Sequence, residues 1–412
     1  MYNRDVLPNG VRVVTERITY VQSVSLGIWI GAGSRHETDA QAGISHFIEH
    51  MMFKGTHRRS ARDIAEALDA VGGRMNAFTD KEYTCYYAKV LSEHLPLAFD
   101  VLSDMLLNSR LDEEEVERER NVVLEEIKRH DDSPEDLIHD IFAQALWPGH
   151  PLGRPVIGTP EVVASFQADQ LRQFMDRWYT PDAIVVAAAG NVQHAQVVEL
   201  ADRYLGGLSG STPSVQLTVP QAQPGHTHVT RTTEQVHICV GTAGLPFDSE
   251  DRYAMAVLDT AYGGGMSSRL FQEIRESRGL VYSIGSYSSS YRQAGLFAVY
   301  AGTSRETAGE VMRLVAEEEA RLRTDGITAE ELERAKMQIR GSLLLGLESM
   351  STRMTRLGKS ELYFGRIITV DEVLAGVQAV TLDDVQRLAA KLLQDGRHTV
   401  AAIGPAEGVE VA

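Results

Sequence analysis

Cysteine is almost absent from the 412 residues: only Cys85 and Cys239 occur, far apart and in no Cys-x-x-Cys spacing. That excludes a disulfide-stapled scaffold, a zinc ribbon and a dithiol redox motif, and leaves two reduced, structural thiols. Long apolar runs are missing too; no stretch approaches the roughly 18 uninterrupted apolar residues of a membrane helix. Cations are the minority, 40 Lys and Arg against 57 Asp and Glu, and the net charge of −17 repels nucleic acid and anionic lipid while favouring cationic partners. The opening MYNRDVLPNGVRVV puts Asp5 and a Pro8-Asn9-Gly10 turn where a secretory signal needs continuous apolar residues, so a cytoplasmic location is expected. What remains is ordinary globular composition, 43% apolar and 24% charged, at a length that calls for about two domains.

Periodicity gives the elements. Val11, Val13 and Val14 alternate like a strand, and residues 21–30 read as its partner. A helical pattern runs over 43–55 and another over 60–70, where Ser60 with Asp63 has the form of an N-terminal cap. Strand character returns over 74–91, broken by the turn Asp80-Lys81-Glu82, and helices follow over 95–107 and 112–130. The order is that of an α+β protein with no βαβ nucleotide fingerprint. Residues 205–228, rich in Gly, Ser, Pro and Gln, read as a linker near the middle of the chain. Beyond it the order repeats: IWIGAG at 28–33 faces CVGTAG at 239–244, an offset of 211, and LDEEEVERERNVV faces ITAEELERAKMQI at an offset of 216. An internal duplication predicts domains over 1–208 and 228–412, joined by 209–227.

One stretch carries chemistry. In GISHFIEHMMF, His46, Glu49 and His50 stand at i, i+3 and i+4 and share one helical face. Two imidazoles a turn apart can bind one metal ion, zinc above all, and Glu49 could take a proton from a metal-activated water. The spacing would arise by chance about 0.06 times in a chain of this composition, so alone it also admits an ordinary pair of surface histidines. A third ligand must come from elsewhere, and ERERNVVLEE supplies candidates. Glu119 and Glu126 are two helical turns apart on a face shared with Val122 and Val123, where an unpaired carboxylate is costly. Glu126 is favoured as ligand and Glu119 as a nearby acid, but helical phase does not decide between Glu125 and Glu126.

HFIEHMMFKGT, followed 76 residues after His50 by Glu126, resembles the pitrilysin (insulinase-like) family of inverted-motif zinc peptidases, in its mitochondrial-processing-peptidase-like branch. The resemblance extends through LPNGVRVV, GSRHE, GGRMNAFTDKEYTCYY and GGGMSSRLFQEIRESRGLVYSI. It implies two similar domains, each a mainly antiparallel sheet packed with helices, the first holding one zinc ion through His46, His50 and Glu126. It implies Glu49 as general base, Glu119 as supporting acid, and Arg275 and Tyr282 as second-domain residues reaching the site, where guanidinium and phenol would donate to an oxyanion. By the same likeness Asn76, Ala77 and Phe78 belong to an edge strand onto which an extended peptide adds. Adding 211 to the ligand positions gives Val257 and Ala261, and adding 216 to Glu126 gives Ser342, so the second domain should hold no metal. The glycine run 263–265 lacks the Lys-Ser/Thr ending of a phosphate loop and reads as a short loop for substrate passage. The expected function is that of a zinc endopeptidase on unfolded or basic peptides, working as a homodimer. A catalytic subunit needing a heterologous partner and a non-catalytic scaffold subunit are the alternatives.

Overall fold

The computed structural model describes residues 1–405, which fall into two compact units. The first collects Met1–Lys128, Arg154–Leu217 and Gly346–Ile368; the second collects Arg129–Gly153, Thr218–Leu345 and the described residues from Thr369 on. The helices that matter here are α1 (Ile44–Met51), α2 (Glu113–Asp131), α3 (Pro134–Leu146), α4 (Arg252–Tyr262), α5 (Ala329–Gly346) and α6 (Met350–Phe364). No described helix is long and apolar enough to cross a membrane.

In the first unit, β1 (Tyr2–Val6), β2 (Arg12–Arg17), β3 (Ser23–Ile30), β4 (Arg74–Thr79), β5 (Thr84–Leu91) and β6 (Ile184–Gly190) form one sheet in the order β1-β2-β6-β3-β5-β4. Only the β2–β6 pair is parallel. The central strands are apolar because both their faces are covered: all of β6 (IVVAAAG) is buried. Alternation sorts the side chains, sending Val13, Leu26 and Ile28 to the core shared with Phe47, Ile48 and Met51 of α1, and Val14, Trp29 and Cys85 to the opposite face. β4 closes the sheet as an edge strand paired only to β5, in a register that sets Thr79 opposite Thr84.

The second unit repeats this plan. β7 (Gly225–Thr230), β8 (Val236–Ala243), β9 (Val281–Ser290), β10 (Gly295–Thr303) and β11 (Thr399–Gly404) lie in the order β7-β11-β8-β10-β9, again with one parallel pair, β7–β11. The chain is therefore α+β with two similar sheet-and-helix domains. Two details were not legible in the sequence. Residues 208–224 carry no helix or strand, but the last part of the expected linker is β7, a strand because β11 supplies its hydrogen-bonding partner. The continuous halves are also interleaved. Ile138, Phe142 and Leu146 of α3 cover Leu296, Ala298, Ala401 and Ile403 of the second sheet, whereas Met354, Leu357 and Leu362 cover the outer face of the first.

The seat of α6 is closely fitted. Trp29 Nε1 donates to Met354 Sδ at 3.3 Å, and the fully buried Glu361 accepts two hydrogen bonds from Arg4 at 2.8 and 2.9 Å. Gly358 lies flat on the indole: a Cβ there would stand 2.3 Å from Trp29 Cε2. In an exposed helix Gly→Ala stabilises by about 1 kcal/mol, but overpacking costs about 1–3 kcal/mol. Gly358→Ala is therefore expected to lower Tm, and an unchanged or raised Tm would refute this account of the α6 interface.

Candidate metal centre

Gly43, whose φ of 96° is left-handed, precedes α1, which runs for eight residues with Phe47, Ile48 and Met51 buried. That anchoring turns His46, Glu49 and His50 to the opposite side, as the spacing predicts. α2 brings the third group. Its apolar positions Val116, Val123 and Ile127 are buried, and Glu119 is buried with them at 4% exposure. From that face Glu126 Oε2 lies 3.4 Å from His50 Nε2 and 3.8 Å from His46 Nε2, and the two imidazole centroids are 4.6 Å apart. One ligand atom from each of His46, His50 and Glu126 falls within 4.8 Å of the others, the only such cluster of metal-ligating groups among the described residues. Glu125 points elsewhere: its side chain is 73% exposed and accepts a hydrogen bond from Lys128 at 2.6 Å.

Around this cluster each partner has a distinct role. Glu119 Oε1 lies 2.8 Å from His50 Nδ1 and Oε2 lies 2.5 Å from Lys54 Nζ. A proton on Nδ1 leaves the Nε2 lone pair of His50 facing Glu126, the orientation a metal ligand needs. Burial alone would raise the pKa of Glu119, but the hydrogen bonds from His50 and Lys54 outweigh it and hold the carboxylate below its usual range. Burial pulls His50 down, and Glu119, Glu126 and Glu49 together overcome it, so its pKa is raised. For His46 the balance is reversed: burial, then the neighbouring His50, lower it from 6.5 to about 4 against the smaller opposing effect of Glu119, so its ring is neutral at ordinary pH. Its Nδ1 is buried with no hydrogen-bond partner among the described residues. Glu49 accepts a hydrogen bond from Thr79 Oγ1 at 2.6 Å, and burial raises its pKa against the opposing effects of Thr79 and His50.

The first unit thus brings together His46, Glu49, His50, Glu119 and Glu126. Asn76, Ala77 and Phe78 lie on the edge strand β4, whose last residue is Thr79. On the second unit Arg275 lies in the π-helical segment Phe271–Glu276 with its guanidinium 4.7 Å from the Phe271 ring centroid and 5.9 Å from that of Tyr282, itself 76% exposed on β9. Two residues were missed in the sequence. Lys54 stands four after His50, a helical spacing that could have found it; Thr79 reaches Glu49 across 30 positions, and no local pattern announces it.

The description "Insulinase (Peptidase family M16)" matches residues 12–160, and "Peptidase M16 inactive domain" matches residues 165–339. The zinc protease YmxG of Bacillus subtilis, named as uncharacterized, is 45% identical over 405 residues covering 98% of each chain. A Streptomyces coelicolor protein, likewise named an uncharacterized zinc protease, is 47% identical over 412 residues covering 98% of this chain and 89% of its own. A protease from Helicobacter pylori has the same fold, with a TM-score of 0.92 at 22% identity over 98% of this chain and 99% of that one. The chain belongs to the insulinase family, peptidase family M16.

Proposed function

We propose that this chain is a zinc metalloendopeptidase acting on unfolded or extended peptides. The observation that carries the reading is the convergence of His46 Nε2, His50 Nε2 and a Glu126 carboxylate oxygen beside a separately held carboxylate, Glu49. Two imidazoles and one carboxylate are a donor set that suits zinc, and three protein ligands leave a coordination position for water or substrate. Zinc held there would polarise the scissile carbonyl and acidify a water molecule. Glu49 takes the proton from that water and passes it to the leaving amine, with Thr79 aiming its carboxylate. Glu119 supports the centre by fixing the tautomer of His50. The edge strand β4 receives the peptide main chain along Asn76, Ala77 and Phe78, a pairing that demands no particular substrate sequence. Arg275 and Tyr282 are assigned as donors to the substrate oxyanion. The names of the relatives as zinc proteases support the same reading. One zinc ion per chain and a homodimer complete the proposal.

Glu49→Gln keeps the shape of the side chain and removes its basicity. It is expected to retain stoichiometric zinc while turnover of casein or a quenched peptide falls by about 10²–10⁴-fold. Full activity in that variant would reject Glu49 as the base.

The net charge of −17 favours basic peptides. Cleavage of a basic peptide library should exceed that of an acidic one at low salt, with the gap narrowing as salt is added; equal rates at low salt would remove the preference.

Protonation of the metal-free site has a defined sign. The pKa of His46 falls from 6.5 in the unfolded chain to about 4 in the folded one, so between those values the unfolded state binds the extra proton. Stability of the chelated protein should therefore decline as pH drops from 6.5 toward 4. His50, whose folded pKa is raised, contributes stability that is complete below 6.5 and lost at higher pH, a separate window. Urea unfolding across pH 7 to 4 should give a shallower slope for His46→Asn than for the natural chain; parallel slopes would contradict the neutral, buried imidazole.

A further inference from the structure

The two histidines of the centre are oriented by different means. His50 is gripped through its ring, by Glu119 on Nδ1. His46 has no counterpart, because among the described residues its buried Nδ1 has no hydrogen-bond partner. Metal-bound histidines ordinarily owe their aim to a hydrogen bond on the second ring nitrogen. For His46 the aim must come instead from the backbone turn that carries it, the third residue of α1.

That turn is held from outside the helix. Gly43, which precedes α1, has no side chain to cap it and must remain glycine: a Cβ would stand 2.7 Å from the Ile157 carbonyl oxygen and 2.8 Å from Gly158 Cα. The first-turn N–H groups of a helix have no intrahelical acceptors. Here Glu37 accepts two of them, from Gly43 N–H on Oε2 and from Ser45 N–H on Oε1, each at 2.8 Å. Glu37 is 5% exposed, and burial pushes its pKa up to about 7 against the opposing pull of those two donors and Arg154. A carboxylate sunk this far is costly unless hydrogen-bonded, so the two amides and the carboxylate constrain one another.

The loop bearing Glu37 is fixed in turn. Arg154 donates to the Glu37 carbonyl at 2.6 Å, Arg35 forms a buried ion pair with Glu82 at 2.5 Å, and Ser34 and Arg35 N–H donate to the Asp80 and Lys81 carbonyls. Asp80, Lys81 and Glu82 form the turn that follows Thr79, the residue that holds Glu49. The GSRHE segment therefore joins the start of α1 to the hairpin that positions the proposed base.

We propose that Glu37 is a positioning residue of the metal centre: by capping α1 through the Gly43 and Ser45 amides it aims His46, in place of the ring partner that His46 lacks. The proposal rests on the assignment of His46 as a metal ligand. Its test is zinc affinity, measured by chelator competition, together with Tm of the metal-free protein, kcat and KM, for the natural chain, Glu37→Gln, Glu37→Asp and Gly358→Ala. Gln is isosteric but presents only one acceptor to the two amides; Asp keeps the charge with a shorter reach. Both are expected to weaken zinc binding about tenfold, the scale of losses around metal ligands. Activity of both should return toward that of the natural chain when free zinc is raised, with KM unchanged. Gly358→Ala, destabilised at a distance from the centre, should lose Tm while keeping its zinc affinity. Zinc affinity within twofold of the natural chain in both Glu37 variants, whatever their Tm, would overturn the proposal alone. A natural chain that binds no zinc would overturn the metal reading and this proposal with it.

Discussion

The centre depends on a charge that has to be buried. Glu119 packs among Val116, Val123 and Ile127 on the inner face of α2, where an ionised carboxylate is tolerable only if its oxygens are occupied. His50 occupies one and Lys54 the other. Those two contacts tie α2 to α1 and to the segment that follows it, and the next carboxylate on the same face, two turns along, falls against both imidazoles. Glu126 is where it is because Glu119 is satisfied. The weaker burial of Glu126 is in keeping with a ligand that must reach an ion, while the deeper one of Glu119 suits a group that orients.

The duplication shows what happens to this arrangement when the ligands are absent. The offset of 211 sets Val257 and Ala261, both buried, against His46 and His50, but the burial pattern of α1 recurs on α4 at an offset of 210, where Ala256, Asp259 and Thr260 answer to His46, Glu49 and His50; Ser342 on α5, the counterpart of Glu126, is exposed. The helix face that carries two imidazoles in the first unit carries an alanine and a threonine in the second, and Asp259 there accepts a hydrogen bond from Ser286 of β9 as Glu49 does from Thr79 of β4. Apart from the additional strand β1 of the first, the two sheets keep the same strand order, including the single parallel pair, so the plan of the fold does not rely on the metal-ligating groups. What the sequence could not disclose is the exchange of covering helices. α3 and α6 each carry an apolar stripe, and a stripe states that a face is buried without stating which sheet buries it.

The same distinction between local and distant partners accounts for what was legible in the site. His46, Glu49 and His50 are related by one helical turn, and the Ser60–Asp63 capping box by three residues; both are fixed by helix geometry and read directly. The choice between Glu125 and Glu126 was not, since neighbouring residues on a helix differ by about 100° and both flank the predicted face. The deciding contact for Glu125 is Lys128, three positions on, a pairing that was present in the sequence but carries weight only once the facing helix is known. Thr79 and Glu37 were silent for another reason. Each acts on α1 from a neighbouring segment, through a hydroxyl or a carboxylate whose residue type has many uses at the surface, and only the register of the β4–β5 hairpin and the path of the 33–43 loop give them their partners.

Two carboxylates of this centre are held in opposite ways, and the difference follows their chemistry. Glu119 receives hydrogen bonds from a cation and an imidazole, which stabilise its ionised form and lower its pKa; it is suited to a fixed charge that never exchanges a proton. Glu49 receives one hydrogen bond from a neutral hydroxyl and is otherwise desolvated, which raises its pKa and brings it closer to the range in which a group can both accept and return a proton. Exchanging these surroundings would disable each: a Glu49 flanked by Lys and His would be too weak a base, and a Glu119 with only a hydroxyl would lose its hold on the tautomer of His50. Because Glu49 sits one residue before His50 on a single turn of α1, its separation from the Glu119 network cannot come from distance along the chain. It comes from the side of the helix on which β4 presents Thr79, so the edge strand proposed to receive the substrate also tempers, through that hydroxyl, the basicity that burial raises in the group proposed to activate the water.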